Sequence, residues 1–230
     1  MGAIYLIRHG QASFGAADYD KLSKLGEDQS RVLGLSLRQR LPKPDAVYCG
    51  SMLRHRETAA ACLAAMQLEH ERCESAGFNE YDHDEVVLRH KPEYADRKRL
   101  MADMAKAENP RRAFQDMFAQ AIARWVGGQY NGEYKESWTG FRIRCTEALD
   151  TVIKALGPSK SALVFTSGGP VTAIVQQLLQ IPDSQIFKIN WTLANCGITK
   201  ILYSDRGLYL STLNDHSHFE GEHAKLVTYR

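Results

Sequence analysis

The 230-residue chain has no run approaching the ~18 apolar residues that a membrane-spanning helix needs. Its short N-terminal apolar run has no basic leading region and meets Arg8 at once, so it does not read as a signal peptide. An excess of one charge is also missing. Against 29 Lys and Arg stand 27 Asp and Glu, a formal net charge of +2. That balance argues against nucleic acid or an anionic membrane as the main partner, although it allows a locally basic pocket. The five cysteines are scattered, odd in number and form no Cys-x-x-Cys pair. They read as reduced thiols of a cytoplasmic protein, mostly packed in a core. Also absent are a Gly-x-x-x-x-Gly-Lys nucleotide loop, a Gly-x-Ser-x-Gly elbow, a His-Glu-x-x-His motif, internal repeats and low-complexity tracts. His216 and His218, two apart near a strand end, do not amount to a metal site. No metal and no cofactor are expected.

With 44% hydrophobic residues the chain can bury a substantial core. Residues 3–7 read as a buried strand. The loop at 11–19 is rich in small residues, and Ser23 is placed to cap a helix running to about residue 40, with Leu25, Val32, Leu33 and Leu37 inward. A second strand is expected at 45–49. Ser51 would cap the following helix, with Thr58, Ala61, Cys62 and Ala65 on one stripe. Residues 85–135 are charged and helical in composition, with Met101, Met104, Phe114, Met117, Phe118 and Trp125 as an apolar face. They suggest a helical insertion over one end of the domain, and two further packed helices explain the pattern as well. A helix is expected at 141–156, a strand at 162–166 and a helix at 168–179, with Pro170 near its first position. Late strands are expected at 198–203, 208–213 and 226–229. Trp138 and Trp191 read as core. Strands alternating with helices argue for an α/β fold, a three-layer α/β/α sandwich on a mostly parallel sheet, in a single domain spanning residues 1–230.

The most informative stretch is Ile4-Tyr5-Leu6-Ile7-Arg8-His9-Gly10. A strand delivers an Arg-His pair onto a glycine at its carboxyl end, where open α/β sheets build their sites. The stretch resembles the signature of the histidine phosphatase (phosphoglycerate mutase-like) superfamily. Further pieces resemble the family in order: the segment from Tyr19 to Gly26, the turn Tyr48-Cys49-Gly50-Ser51-Met52-Leu53-Arg54-His55-Arg56-Glu57-Thr58-Ala59, Glu136-Ser137 with Phe141-x-x-Arg144, and Asn214-Asp215-His216-Ser217-His218.

The resemblance implies that His9 attacks phosphorus and carries the phosphoryl group, which a neutral imidazole can do near pH 7. It implies that Arg8 and Arg54 hold the phosphoryl oxygens with planar, permanently charged donors. Arg54 is preferred to Arg56 by its spacing of four residues before Thr58, and Arg56 is expected to face solvent. It further implies a mid-chain glutamate as the acid for the leaving oxygen, and Glu80 in Phe78-Asn79-Glu80-Tyr81-Asp82-His83 is the best match.

The chain departs from the family at Thr166-Ser167-Gly168-Gly169-Pro170, where the usual pattern is Thr-His-Gly-Gly. Ser167 stands in place of a histidine that binds the phosphoryl oxygens. The loss of one preorganised donor costs on the order of a hundredfold in rate. Ser167 would bond the oxygen itself, or act only as a helix cap. Competing readings are that the backbone N–H groups of Gly168 and Gly169 at a helix start already serve the anion, or that another histidine, His83, His216 or His218, fills the gap from elsewhere. The other histidines read as surface residues. The expected activity is a metal-independent phosphomonoesterase acting on a small phosphorylated substrate. The rival readings are a phosphoglycerate-type mutase and a phosphate-binding regulatory protein of little turnover. Phe14 and the insertion are expected to contact the rest of the substrate, and assembly into a homo-oligomer is left open.

Overall fold

The computed structural model describes residues 1–13, 20–41 and 43–229. Its strands are β1 (Gly2–Arg8), β2 (Ala46–Cys49), β3 (Arg72–Glu74), β4 (Ser161–Thr166), β5 (Ile198–Ser204) and β6 (Gly207–Asp215). They form one sheet in the order β3-β2-β4-β1-β5-β6. The first four run parallel, with β1 against β4 and β2 between β4 and β3, while β5 and β6 turn back as an antiparallel edge. The helices are α1 (Lys24–Arg40), α2 (Leu53–Met66), α3 (His83–His90), α4 (Arg97–Ala105), α5 (Pro110–Val126), α6 (Trp138–Leu156), α7 (Gly168–Leu179) and α8 (Asp183–Asn190).

The sheet is buried on both faces, so its central strands are apolar almost throughout. Side chains alternate between two cores. Ile4, Leu6, Ala162 and Val164 pack with α5 to α8, while Ile7, Val47, Leu163 and Phe165 pack with α1 and α2. This is the three-layer α/β/α arrangement. Ser23 caps α1 by accepting from Gly26 N at 3.1 Å, and Ser137 caps α6 by accepting from Gly140 N at 3.1 Å.

Several expectations fail for identifiable reasons. Ser51 does not cap α2. Its N–H and hydroxyl both engage the Asn79 side chain, and the Leu53 N–H at the head of α2 is taken by Asp20 Oδ2 at 2.6 Å. Residues 226–229 are not a strand. Leu226 ends a 3₁₀ segment, and Thr228 spends its carbonyl and hydroxyl on Asn195 instead of on a ladder. Neither β3 nor α8 is expected from the sequence. Their few residues carry no clear period. Met101 is 70% exposed and Trp191 51% exposed, so neither is core.

Within 85–135, α4 buries no residue. Helix α5 buries Met117, and it places Ala121, Ile122, Trp125 and Val126 in the same core as α6 and the sheet. Trp125 meets Tyr81, Trp138 and Phe141 at ring-centroid distances of 4.6, 5.2 and 5.7 Å. Its indole N–H donates to the Glu136 carbonyl at 2.9 Å.

Trp125→Ala should therefore destabilise the whole domain by about 3–5 kcal/mol. Urea denaturation should show one shifted transition. A separate early transition would mean that α5 unfolds independently of the sheet.

A second expectation concerns acid. His218 is half-buried, with both ring nitrogens shielded from solvent in the turn that packs on α1, and burial lowers its pKa to about 4. Its ordinary value is about 6.5, so below that pH the unfolded chain takes up a proton that the folded one refuses. Stability should fall as pH drops from about 6.5 towards 4, and His218→Phe should flatten that slope in denaturation measured across the range. An unchanged slope in the variant would count against this assignment.

Candidate active site

The site forms at the carboxyl ends of β1 and β4, where parallel pairing sets Arg8 beside Thr166 and the His9 N–H donates to the Thr166 carbonyl at 2.8 Å. His9 is buried. Its Nδ1 lies 2.7 Å from the Gly10 carbonyl, which can only accept, so Nδ1 carries the proton and Nε2 the lone pair. Burial first, then the charges of Arg54 and Arg8 and the neighbouring His55, hold the His9 pKa well below 6.5. The ring is neutral at physiological pH. Asn195 Nδ2 donates to the His9 carbonyl at 2.9 Å, and the Gly10 N–H donates to Thr58 Oγ1 at 3.0 Å. The backbone at His9 and Gly10 is thus fixed from both sides.

Arg8 Nη1 donates to the carbonyls of Leu193 and Tyr229. Its Nε stands 3.7 Å from where a Cβ on Gly168 would be, so the side chain lies along the head of α7. Arg54 is 4% exposed, and its Nη1 bonds Asp20 Oδ1 at 2.6 Å. Asp20 therefore orients the arginine and caps its helix with the same carboxylate. Arg56 is exposed and 3.5 Å from Glu74.

Glu80 reaches the other rim. Its Oε2 accepts from Gly169 N at 3.1 Å, and a Cβ on Gly169 would overlap its carboxylate, so this placement of Glu80 depends on the glycine. The segment before Glu80 is clamped. Arg144 Nη1 donates to the carbonyls of Ala76, Gly77 and Asn79 at 2.9, 3.1 and 3.1 Å, while Nε and Nη2 form a bidentate pair with Glu136 at 2.7 and 2.9 Å. Thr166 Oγ1 donates to the Phe78 carbonyl at 2.7 Å.

Ser167 is fully buried at the start of α7, yet its hydroxyl makes no capping bond. It lies 2.7 Å from His55 Nε2 instead. His55, expected at the surface, is fully buried, with its ring centroid 5.7 Å from that of His9. Burial and then the Arg54 charge lower its pKa well below 6.5. Of the expected substitutes, His83 packs on Tyr81 with tilted rings 4.2 Å apart and lies within the fields of Glu80 and Arg54, burial lowering its pKa. The Nδ1 of His216 bonds the Asn214 carbonyl at 2.7 Å, and His218 is packed near Asp215 and Arg40. Among the described residues no group of three His, Cys, Asp or Glu is placed to hold a metal ion.

Sequence reasoning overlooked His55, Asp20 and Arg144 as parts of the site. Two signals were available for His55: a histidine inside the arginine motif, and a serine where the family has a histidine. Phe14 and most of the loop at 11–19 lie outside the described residues.

No protein of curated function matches the chain at a significant level. Solved structures share its fold. A phosphoserine phosphatase mutant from Entamoeba histolytica, in complex with phosphoserine, is 16% identical with a TM-score of 0.68 over 95% of this chain and 99% of its own. A phosphoglycerate mutase from Bacillus anthracis is 18% identical with a TM-score of 0.65 over 94% of each chain. A mycobacterial glucosyl-3-phosphoglycerate phosphatase in complex with VO3 is 15% identical with a TM-score of 0.61 over 92% of this chain and 98% of its own. The sequence profile of the histidine phosphatase superfamily (branch 1) matches residues 4–216. That match covers nearly the whole sequence, and the chain belongs to the histidine phosphatase superfamily.

Proposed function

We propose that the protein hydrolyses phosphate monoesters of small molecules through a phosphohistidine on His9. The observation that carries this reading is the state of His9. It is a neutral imidazole whose Nε2 has no hydrogen-bond partner among the described residues, held within the fields of Arg54 and Arg8. Nε2 attacks phosphorus, a P–N bond forms and the P–O ester bond breaks. Glu80 serves as the acid that gives a proton to the leaving oxygen. Water then attacks phosphorus and returns a proton to the Glu80 carboxylate. The P–N bond breaks, and inorganic phosphate leaves. Arg8 and Arg54 hold the charge on the three phosphoryl oxygens, which is most of what phosphoryl transfer requires of a protein.

Residues of this chain suffice for each of these roles. The Gly168 N–H at the head of α7 adds a backbone donor aimed at an anion. Phosphoserine and phosphoglycerate in the names of structural neighbours favour a small phosphorylated substrate with other polar groups.

His9→Ala should abolish hydrolysis of p-nitrophenyl phosphate and of a panel of sugar, amino-acid and glycerate phosphates. Wild-type protein quenched during turnover should carry an acid-labile phosphoryl group. Turnover that survives His9→Ala would overturn the assignment, and so would its absence in the wild type on every ester tested. Isomerisation of 3-phosphoglycerate, run alongside, separates a mutase from a hydrolase.

Arg144→Met should lower kcat on the order of 10²-fold with little change in KM. It frees the segment that aims Glu80, without touching the groups that bind phosphate, and small misplacements are costly. Steady-state kinetics would expose the opposite pattern, a KM effect alone, as evidence that Arg144 acts on binding.

A further inference from the structure

Serine at 167 leaves the pocket one imidazole short of the family pattern, yet an imidazole reaches the same spot from a different element. His55 projects from the first turn of α2, and its Nε2 comes within 2.7 Å of Ser167 Oγ at the head of α7. We propose that His55 and Ser167 act as one unit, in which His55 Nε2–H donates to Ser167 Oγ and thereby aims the serine hydroxyl at a phosphoryl oxygen held beside His9 and Arg54. Ser167 is then the group that touches substrate, and His55 is a positioning residue acting through it. The inference rests on the phosphomonoesterase reading above.

Three observations carry it. The first is the tautomer. His55 Nδ1 is buried and has no hydrogen-bond partner among the described residues. A neutral imidazole has one N–H and one lone pair. A proton on Nδ1 would be a buried donor without an acceptor, which is the rarer and costlier kind of orphan. The proton therefore belongs on Nε2, and Ser167 must accept it. Burial and the Arg54 charge keep the ring neutral.

The second is that the serine hydroxyl makes no other hydrogen bond among the described residues. Ser167 precedes α7 but bonds none of its N–H groups. Accepting from His55 uses one lone pair and leaves the O–H to donate. It does so at the end of β4, beside the end of β1 that carries His9.

The third is the seat built for the ring. A Cβ at Gly50 would overlap His55 Nδ1, so the imidazole fits only because residue 50 has no side chain. The turn is held there by the Gly50 N–H on the Phe165 carbonyl at 3.0 Å and by Asn79 Oδ1 on Ser51 N at 2.8 Å. Among the described residues no carboxylate meets Nδ1, so the pair lacks the third member that orients a histidine to activate a serine nucleophile. The covalent step stays with His9.

The test measures hydrolysis and the dissociation constant for orthovanadate, a phosphoryl-transfer mimic, in the same set of full-length variants. Ser167→Ala and His55→Ala should each lower kcat about 10- to 100-fold, the range for losing one preorganised donor, with little change in KM. Each should weaken vanadate binding by a similar factor. Together they should be no worse than Ser167→Ala alone, because the two residues act through one hydroxyl. His55→Gln, which keeps an N–H, should recover much of the loss. A histidine at 167 would contend with His55 for the same buried volume, so Ser167→His alone should bring no gain. Ser167→His combined with His55→Ala should exceed Ser167→His by at least tenfold.

Multiplicative losses in the double alanine variant would overturn the proposal, as would an unchanged kcat and vanadate affinity in His55→Ala. An acid-stable phosphoserine at 167 in His9→Ala protein would overturn it too. Should His55→Ala fail to fold, the cycle of His55→Gln with Ser167→Ala decides in the same way. Should no ester be turned over in a His9-dependent manner, the phosphatase reading falls while the vanadate titrations still judge the pair.

Discussion

His9 and Ser167 stand side by side because β1 and β4 run parallel in matched register, and the His9 N–H closes that ladder on the Thr166 carbonyl 2.8 Å away. Everything else in the site is arranged around this one pairing. It sets the end of β1, with Arg8 and His9, against the head of α7, with Ser167 and Gly168. A register shift by one residue would turn Ile7 and His9 to the opposite face and exchange the two cores. The alternation of Ile4 and Leu6 towards α5 to α8, and of Ile7 towards α1 and α2, makes such a slip costly, since every apolar side chain on β1 would be misplaced. The hydrophobic pattern of the strand thereby fixes the position of the imidazole.

Around that pairing the site is built by subtraction as much as by addition. Gly169 lacks the Cβ that would overlap Glu80, and Gly50 lacks the one that would overlap His55. Three segments far apart in sequence then meet: the arginine turn before α2, the clamped stretch before Glu80 and the turn into α7. Two buried rings, His9 and His55, lie 5.7 Å apart with Arg54 among their neighbours. The guanidinium charge and the loss of water act in the same direction, so both rings stay neutral. Neutrality is what a nitrogen nucleophile requires, and it leaves the positive charge of the pocket to the arginines.

The parts legible in the sequence were the local ones. The apolar run of β1, the Ser23 cap of α1, the buried run of β4 and the small-residue start of α7 each follow from neighbours a few residues away. The short elements were not legible, because three residues of β3 cannot show a period and Thr228 looks like a strand residue until Asn195 claims it. The cap of α2 shows the limit well. Ser51 is the right residue type but sits one position before the N-cap, Met52; Asn79, 28 positions away, holds its side chain, and Asp20, 33 positions before Leu53, supplies the cap. His55 was hidden for the same reason. Next to Arg54 on a helix it reads as surface, and only the approach of α7 turns its position into an interior one.

By itself the sequence determined the α/β layering and the placement of an Arg-His pair at a strand end, since hydrophobic period and strand chemistry are properties of short windows. It also exposed the missing histidine at Ser167. Only the tertiary structure decided what stands in that gap, because the answer depends on a distance between residues 55 and 167. That distance is set by how α2 and α7 pack at the ends of β2 and β4, and no local pattern in the chain encodes it.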